Sequence, residues 1–450
     1  MHSSPPRLTT PLPMRTRLTL ALLMLTMVAE GLDLVVAGFI FPRVMDEWGA
    51  GMDSITLIVT LSVAATALGG FVAGPLADSF GYRPVIVVSA LCFACLTAAL
   101  ALSPDMTALA WIRLIGCAGM GAMVPVVIAQ VSALVPQRLR SQMVSLVWAG
   151  GAVGFIVGSM LAATIIPAFG WRTLSVISGA IALILVPFLA VLLPAGRLTP
   201  PAGDSSLSES NPTVSGPRYP NQSALRAILS TPYLASTIVT WACFAIGLGV
   251  AYLIATYLPL MVERYGLGVA AAGTVTALFG ACGLLGQILL GFALRRWDPR
   301  SVLAIVWSAG ALGIVMLAVV DLGIAGFLVA ICLVAATIAG SNAILPTLAT
   351  SLYTEQIRAT GVSWANGAGQ IGRLGGGWAG GAMIAAGLTT PQLFLGIAIP
   401  TALGIAASIL LRRSVRPDHA ATQDISAPPT SQEADVPPSA QKSMERHHQS

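Results

Sequence analysis

Charge is what this sequence has least of. Asp, Glu, Lys and Arg make up 9% of its 450 residues, where an ordinary soluble domain carries about 25%. So few charges cannot clothe a water-soluble globule of this length. Histidine is scarcer still, and all four, His2, His419, His447 and His448, lie near the two ends. Zinc hydrolases need histidine and carboxylate ligands and nucleophilic triads need a base, so a membrane-embedded enzyme of either kind is disfavoured and a histidine proton relay is excluded. The six cysteines all fall inside apolar runs, where a thiol behaves as a small hydrophobe. Even the Cys92-x-x-Cys95 spacing reads as packing, because redox pairs want a solvated, electropositive setting. No disulfide framework, metal site or cofactor is expected.

What the sequence has instead is apolar length. Hydrophobic residues are 56% of the chain and the mean hydropathy is +0.84. A spanning helix needs roughly 20 mostly apolar residues, and only helices and closed barrels satisfy their backbone in lipid. The uncharged runs here are too long for barrel strands. They predict spans at 18–41, 55–76, 84–103, 106–130, 141–165 and 174–194, then 231–258, 269–293, 302–320, 323–347, 360–386 and 391–411. The first run follows Arg15 and Arg17 like a signal peptide, yet continues through Glu30 and Asp33 without a small-residue cleavage site, so it is expected to stay as a span. The fold class is therefore an all-α membrane protein of twelve helices. Its expected parts are a cytoplasmic tail (1–17), a six-helix bundle (18–194), a Pro/Ser/Gly-rich linker (195–230), a second bundle (231–411) and a disordered tail (412–450).

Arginine placement sets the orientation, since short cytoplasmic loops carry the excess of Lys and Arg. With the N-terminus inside, Arg83, Arg138, Arg140, Arg295, Arg296, Arg300 and Arg358 fall on the cytoplasmic side, as do Arg197, Arg218, Arg412 and Arg413. Only Arg43, Arg172 and Arg264 fall opposite. Both termini are expected in the cytoplasm of a cell with an inner (plasma) membrane. The net charge of +5 follows from this topology, with no nucleic-acid partner implied.

The two halves repeat. Trp48-Gly49, Gly69, Gly74 and Arg83 recur as Tyr265-Gly266, Gly286, Gly291 and Arg300 at a shift of 217 residues. Arg140, Val144-Ser145, Gly154 and Gly158 recur as Arg358, Val362-Ser363, Gly372 and Gly376 at a shift of 218. Two bundles in the same orientation form a parallel repeat, in which a substrate site lies near the midplane between halves that rock against each other.

Ionisable groups within a span cost roughly 2.5–3.5 kcal/mol each on insertion scales, which makes those that remain functional candidates. There are four: Glu30, Asp33, Arg113 and Arg373. Glu30 and Asp33 are three residues apart, on one face of the first helix. Two acids crowded in low dielectric do not both ionise cheaply, so one of them suits a proton carrier. Asp33 lies about 12 Å from the outer end of its span and Arg113 about 10 Å from the outer end of its own, so the two can meet. Such a pair serves either as a coupling element that opens on protonation or as a static bond between helices. Arg373 suits bidentate capture of a carboxylate. With Asn342, Asn366 and Gln370 it gives the second half a polar lining, and Trp241 and Trp364 fall within spans, where they serve either to stack an aromatic ligand or as core or lipid-facing packing.

Residues 74–84, Gly74-Pro75-Leu76-Ala77-Asp78-Ser79-Phe80-Gly81-Tyr82-Arg83-Pro84, resemble the loop signature of the major facilitator superfamily between its second and third helices. Glu30-Gly31-Leu32-Asp33 is similar to the D-G-x-D of its aromatic acid/proton symporter branch. Arg113 with Gly119-Met120-Gly121, Pro136 to Arg140, Phe169-Gly170-Trp171-Arg172 and Arg358 to Val362 are similar too. The resemblance implies a gating set of Gly74, Asp78, Gly81, Arg83, Arg140 and Arg358. It also implies that Asp33 or Glu30 and Arg113 take part in proton-driven uptake of a carboxylate, to which the charge argument adds Arg373 as a holder. The chain departs from the branch at Glu30, Val126, Ala133 and Gln370, so the branch's substrates do not transfer directly. The expected function is proton-coupled uptake of a small organic acid, aromatic or otherwise, by a monomer in the lipid bilayer. The alternative is a proton antiporter exporting drugs or metabolites, which commonly carries a G-P-x-x-G element where this chain has Gly150-Gly151-Ala152-Val153-Gly154.

Overall fold

A computed structural model of the chain describes residues 12–194, 226–320, 323–353 and 355–414, all within one unit, Met1–Ser414. Of the expected tails (1–17 and 412–450) and linker (195–230), residues 1–11, 195–225 and 415–450 lie outside the described residues, while 14–17 and 412–414 are helical.

Helix boundaries follow local chemistry. Helix α1 (Met14–Trp48) stops at Gly49, whose φ of 61° is left-handed and suits a residue without a side chain. Next come α2 (Met52–Phe80) and α3 (Tyr82–Ala99), joined by Gly81 alone at φ 89°, ψ 162°. That backbone geometry explains why the loop signature needs glycine there. Helix α4 (Met106–Leu134) is capped by Asp105, which accepts the Ala108 N–H at 2.8 Å. Inside the spans, hydroxyls are satisfied locally: Thr26, Thr56 and Ser159 each donate to the carbonyl four residues back, at 2.8–2.9 Å.

Two expectations need correction. The fifth and sixth spans are not separated by a loop of several residues: Gln137–Leu192 is helical except at Gly170 (φ 82°, ψ 171°), making two rods, α5 (137–169) and α6 (171–192). The tenth span is not one regular helix. After α7 (Thr231–Arg264), α8 (Val269–Ala293) and α9 (Pro299–Val319), the rod α10 (Gly323–Leu352) passes through a π-helical turn at Ala335–Ala339 and a 3-10 turn at Gly340–Ala343. Pro346 accounts for the irregularity around the 3-10 turn, since it offers no N–H to the carbonyl of Asn342 and its ring crowds that carbonyl. Helices α11 (Glu355–Ala385) and α12 (Thr390–Ser414) complete the order.

Among the described residues ten helices are long and apolar enough to cross a membrane, with α5 and α6 taken as one. The polar, glycine-rich α11 stands outside that set. With α5 and α6 separated and α11 added, the twelve expected rods are all present.

The repeat visible in sequence is a repeat of contacts. Helix α1 packs on α5 and α7 on α11; α2 packs on α4 and α8 on α10. A methyl group at Gly154 would overlap the Val28 carbonyl, and one at Gly372 the Ala245 carbonyl. Gly69 against Ala118 and Gly286 against Ala336 form a second matched set. These glycines let backbones approach as only small residues allow.

The halves meet through α1 with α7, α2 with α11, and α5 with α8. Gly38 lies against Thr256, Gly381 against Thr56, Gly273 against Ser159 and Ala163, and Gly280 against Phe155. All these positions lie toward the α1–α2 turn. Among the described residues the close glycine approaches between the halves all lie at that end, with Gly377 against Val59 a further one. The protein is thus closed at the end holding the α1–α2 and α7–α8 turns and open at the end holding the α2–α3 turn.

Candidate functional site

Asp33 is 1% exposed and sits where α1, α3 and α4 converge. Its Oδ2 accepts from Arg113 Nη1 at 2.6 Å, and its Oδ1 accepts from Thr97 Oγ1 at 2.9 Å. Arg113, on α4, is 8% exposed. Removing one member of such a buried pair costs about 3–5 kcal/mol, because the other charge is left uncompensated. Thr97 escaped the sequence reading, since a single threonine in an apolar helix usually bonds its own backbone and carries no outward signal.

Glu30 and Asp33 leave α1 toward different neighbours, although their spacing puts them one turn apart. Glu30 is half-buried and turned to α5, its Oε2 lying 3.3 Å from where a Gly151 side chain would begin. Glycine at 151 is what makes room for the carboxyl. Two charges act on it: Arg373, from the other half, and Asp33.

Arg373 is half-buried on α11, with its guanidinium 5.0 Å from the centre of the Tyr252 ring of α7. Its Nη1 lies 3.5 Å from Gln370 Oε1, at the limit of a hydrogen bond. Among the described residues no carboxylate lies within 4.0 Å of it. Arg113 also acts on Tyr252, so this ring stands between the two arginines' fields. Tyr252 was not singled out from sequence, although a tyrosine within a span is an uncommon residue in this chain and was the available signal.

Toward the open end, Trp241 of α7 and Trp364 of α11 stack with ring centres 5.8 Å apart and planes 17° from parallel. Trp364 is 47% exposed, and Asn366 is exposed two residues on. Trp241 Nε1 and Asn342 Oδ1 are buried with no hydrogen-bond partner among the described residues. Asn342 lies in the 3-10 turn of α10, and helix irregularities of this sort recur at functional sites. Buried orphan polar atoms are groups that a water or a ligand can satisfy.

Of the expected gating residues, Gly74 faces open space, Asp78 and Arg140 are exposed, and Arg83 donates through Nη2 to the Ala190 carbonyl of α6 in its own half. The Arg358 side chain lies outside the described residues. Among the described residues one ion pair joins the halves, and it was not singled out from the sequence. Arg43, at the end of α1, makes a fork with Glu263 of α7: Nη1 to Oε2 at 2.7 Å and Nη2 to Oε1 at 2.9 Å. Both residues look like ordinary loop charges, and 220 residues separate them. Nearby, Glu47 accepts from Trp171 Nε1 at 2.9 Å and Arg172 Nη1 at 2.8 Å, so the α5–α6 turn is pinned to α1.

A helical body with two packed, repeated bundles, a gap open at one end and paired and unpaired charges where the bundles meet defines a polytopic membrane transport protein. The chain belongs to the Major Facilitator Superfamily, whose sequence profile matches residues 23–377 and 252–442. It is 31% identical to a gallate transporter of Pseudomonas putida, over 89% of this chain and 92% of that one. It is 30% identical to the 4-hydroxybenzoate transporter PcaK of the same organism, over 83% and 87%. A 3-(3-hydroxy-phenyl)propionate transporter of Escherichia coli is also 30% identical, over 89% and 96%. In fold it is similar to a D-xylose-proton symporter, with a TM-score of 0.72, 15% identity and coverage of 88% of this chain and 97% of that one. A bacterial homologue of the lysosomal transporter Spinster, crystallised inward-facing, gives 0.71 at 16% identity, covering 90% and 98%.

Proposed function

We propose that the protein imports a small aromatic carboxylate together with protons, by alternating access across the inner membrane. The observation that carries this reading is Arg373: a guanidinium with no carboxylate within ion-pair reach among the described residues, set against an aromatic ring at the level where the halves meet. Arg113 is the weaker anion site, because Asp33 already occupies it. A carboxylate on Arg373 would lie on the route past the Trp241–Trp364 stack, and the relatives named above carry aromatic acids. The open end carries Arg83, Arg140, Arg295, Arg296 and Arg300, whereas the closed end carries Arg43, Arg172 and Arg264. By the excess of positive charge the open end and both termini are cytoplasmic, and the conformation is inward-facing.

Proton coupling follows from the cost of carrying charge through an apolar body. A carboxylate moving with a proton crosses the occluded stage as a neutral load, whereas a bare anion would carry its full desolvation penalty. The test is uptake of radiolabelled benzoate, 4-hydroxybenzoate, gallate and 3-(3-hydroxyphenyl)propionate into energised cells expressing the protein. Uptake of at least one acid, abolished by a protonophore, is expected. If none of the acids enters and a protonophore instead raises the retention of exported drugs, the protein is an antiporter and the import reading fails.

A further inference from the structure

Two acids stand near the centre of the site, and their surroundings divide the labour between them. We propose that Glu30 is the side chain that takes up and releases the proton, that Asp33 is a positioning residue for Arg113, and that the protein therefore moves one proton with each monovalent carboxylate. This rests on the symport reading above.

Asp33 has no free oxygen. One is bonded to Arg113 and the other to Thr97, and the side chain is almost wholly enclosed. Protonating it would break the bond to Arg113 and leave a guanidinium without a counter-charge in an apolar interior. Glu30 escapes the first obstacle, and the cation it leaves without an offset is the half-buried Arg373, not the enclosed Arg113. Among the described residues no donor bonds its carboxyl, it is half-buried, and it lies three residues nearer the open end than Asp33, about 4.5 Å along the helix. Protonating Glu30 breaks nothing.

Two charges act on Glu30: Asp33 of α1 and Arg373 of α11. Arg113 and Cys117 of α4 act on each other and on Asp33 or Tyr252, and Tyr252 of α7 also meets Arg373. Helix α5, packed directly on Glu30, has no Asp, Glu, Lys, Arg, His, Cys or Tyr between residues 142 and 169. Asp33 and Arg113 cancel each other. What remains is Glu30 and Arg373, one from each half.

That remainder yields a coupling rule. In the empty protein Glu30 is ionised and offsets Arg373, so the centre is neutral. When a proton from water joins the Glu30 carboxylate, Arg373 loses its offset and attracts the substrate carboxylate, and the loaded centre is neutral again. With the proton alone the centre carries +1, and with the anion alone −1. Halves that close over an apolar passage do so readily only around a neutral centre, so the empty and fully loaded forms cross and the half-loaded forms do not. Proton and carboxylate then move together, with no net charge transferred.

The experiment uses the full chain in proteoliposomes, with radiolabelled 4-hydroxybenzoate as probe. At 1:1 electroneutral coupling a pH difference of one unit sustains about tenfold accumulation, and an imposed membrane potential changes nothing. Glu30→Gln is expected to reduce accumulation to a ratio of one while exchange of labelled for unlabelled acid continues. Asp33→Asn is expected to lose exchange as well. Accumulation that survives Glu30→Gln, or that follows the membrane potential, overturns the proposal, as does an Asp33→Asn protein that exchanges but does not accumulate.

A readout independent of substrate separates this assignment from the choice of acid. Infrared titration of the purified protein is expected to show a protonated-carboxyl band that disappears in Glu30→Gln and persists in Asp33→Asn. Arg113→Lys keeps a cation beside Asp33 and is the second variant should Asp33→Asn not fold; the band is expected to persist there too. A band that remains in Glu30→Gln overturns the assignment. Absence of uptake by the wild type, with the Glu30 band intact, overturns the substrate reading and leaves the proton site standing.

Discussion

The fork between Arg43 and Glu263 offers the sharpest test of how the closed end is held. Neither side chain bears on the central charges, so its removal acts on the balance between conformations. The side chains are 18% and 17% exposed, well covered without being buried. Fully exposed pairs contribute about 0.2–1 kcal/mol, and close charge pairs at interfaces couple by about 1.5–7 kcal/mol. Two short bonds at this level of cover place the pair near 2 kcal/mol, equivalent to about thirtyfold in the ratio of closed to open closed-end conformers. The perturbation is Glu263→Gln, which keeps the shape and removes the charge. The assay is reaction of a membrane-impermeant maleimide with Thr56→Cys, beside Gly381 in the closed seam, in a background lacking the native thiols. Labelling from the closed side is expected to accelerate by about thirtyfold. Exchanging the charges, Arg43→Glu with Glu263→Arg, is expected to restore the slow rate. A rate unchanged in Glu263→Gln, or equally fast in the exchanged pair, would refute the idea that this bond holds the halves together.

Two further outcomes follow from packing. Trp364→Ala removes one face of the stack with Trp241; such ring pairs contribute about 0.5–1.5 kcal/mol, so a rise of up to roughly tenfold in the KM for an aromatic acid is expected, with a smaller change for an aliphatic acid of similar charge. Gly154→Val forces apart α1 and α5, where even a methyl group would overlap the Val28 carbonyl; a loss of about 1–3 kcal/mol is expected, read as a lower unfolding temperature in detergent, and Gly372→Val at the matched contact in the other half should behave alike.

Much of the architecture was legible before any coordinate, and particular residues explain why. Apolar runs of spanning length must close their own hydrogen bonds in lipid, so the rods follow from composition. The weakest signal was α11, where Asn366, Gln370 and Arg373 dilute the apolar run. The shift of 217 to 218 residues read along the chain became matched contacts at Gly154 and Gly372. Depth along a helix likewise followed from counting residues, which is how Asp33 and Arg113 were found to be within reach. Irregularity was less legible. The effect of Pro346 on α10 depends on which neighbours can absorb the displaced Asn342 carbonyl, and the chain reversal at Gly170 rests on a single torsion angle.

The sequence alone determined that this is a membrane-spanning helical protein, duplicated within itself, with four ionisable groups held at known depths. Only the tertiary structure decided which acid Arg113 takes, that Glu30 turns instead toward Gly151 and the field of Arg373, and that Arg43 and Glu263 clasp across the halves. The reason is physical. A span forms from forces local to its own residues, but the rotation of a helix about its axis is set by the surfaces that pack against it, and a rotation of one residue's arc is enough to give a carboxylate a different partner.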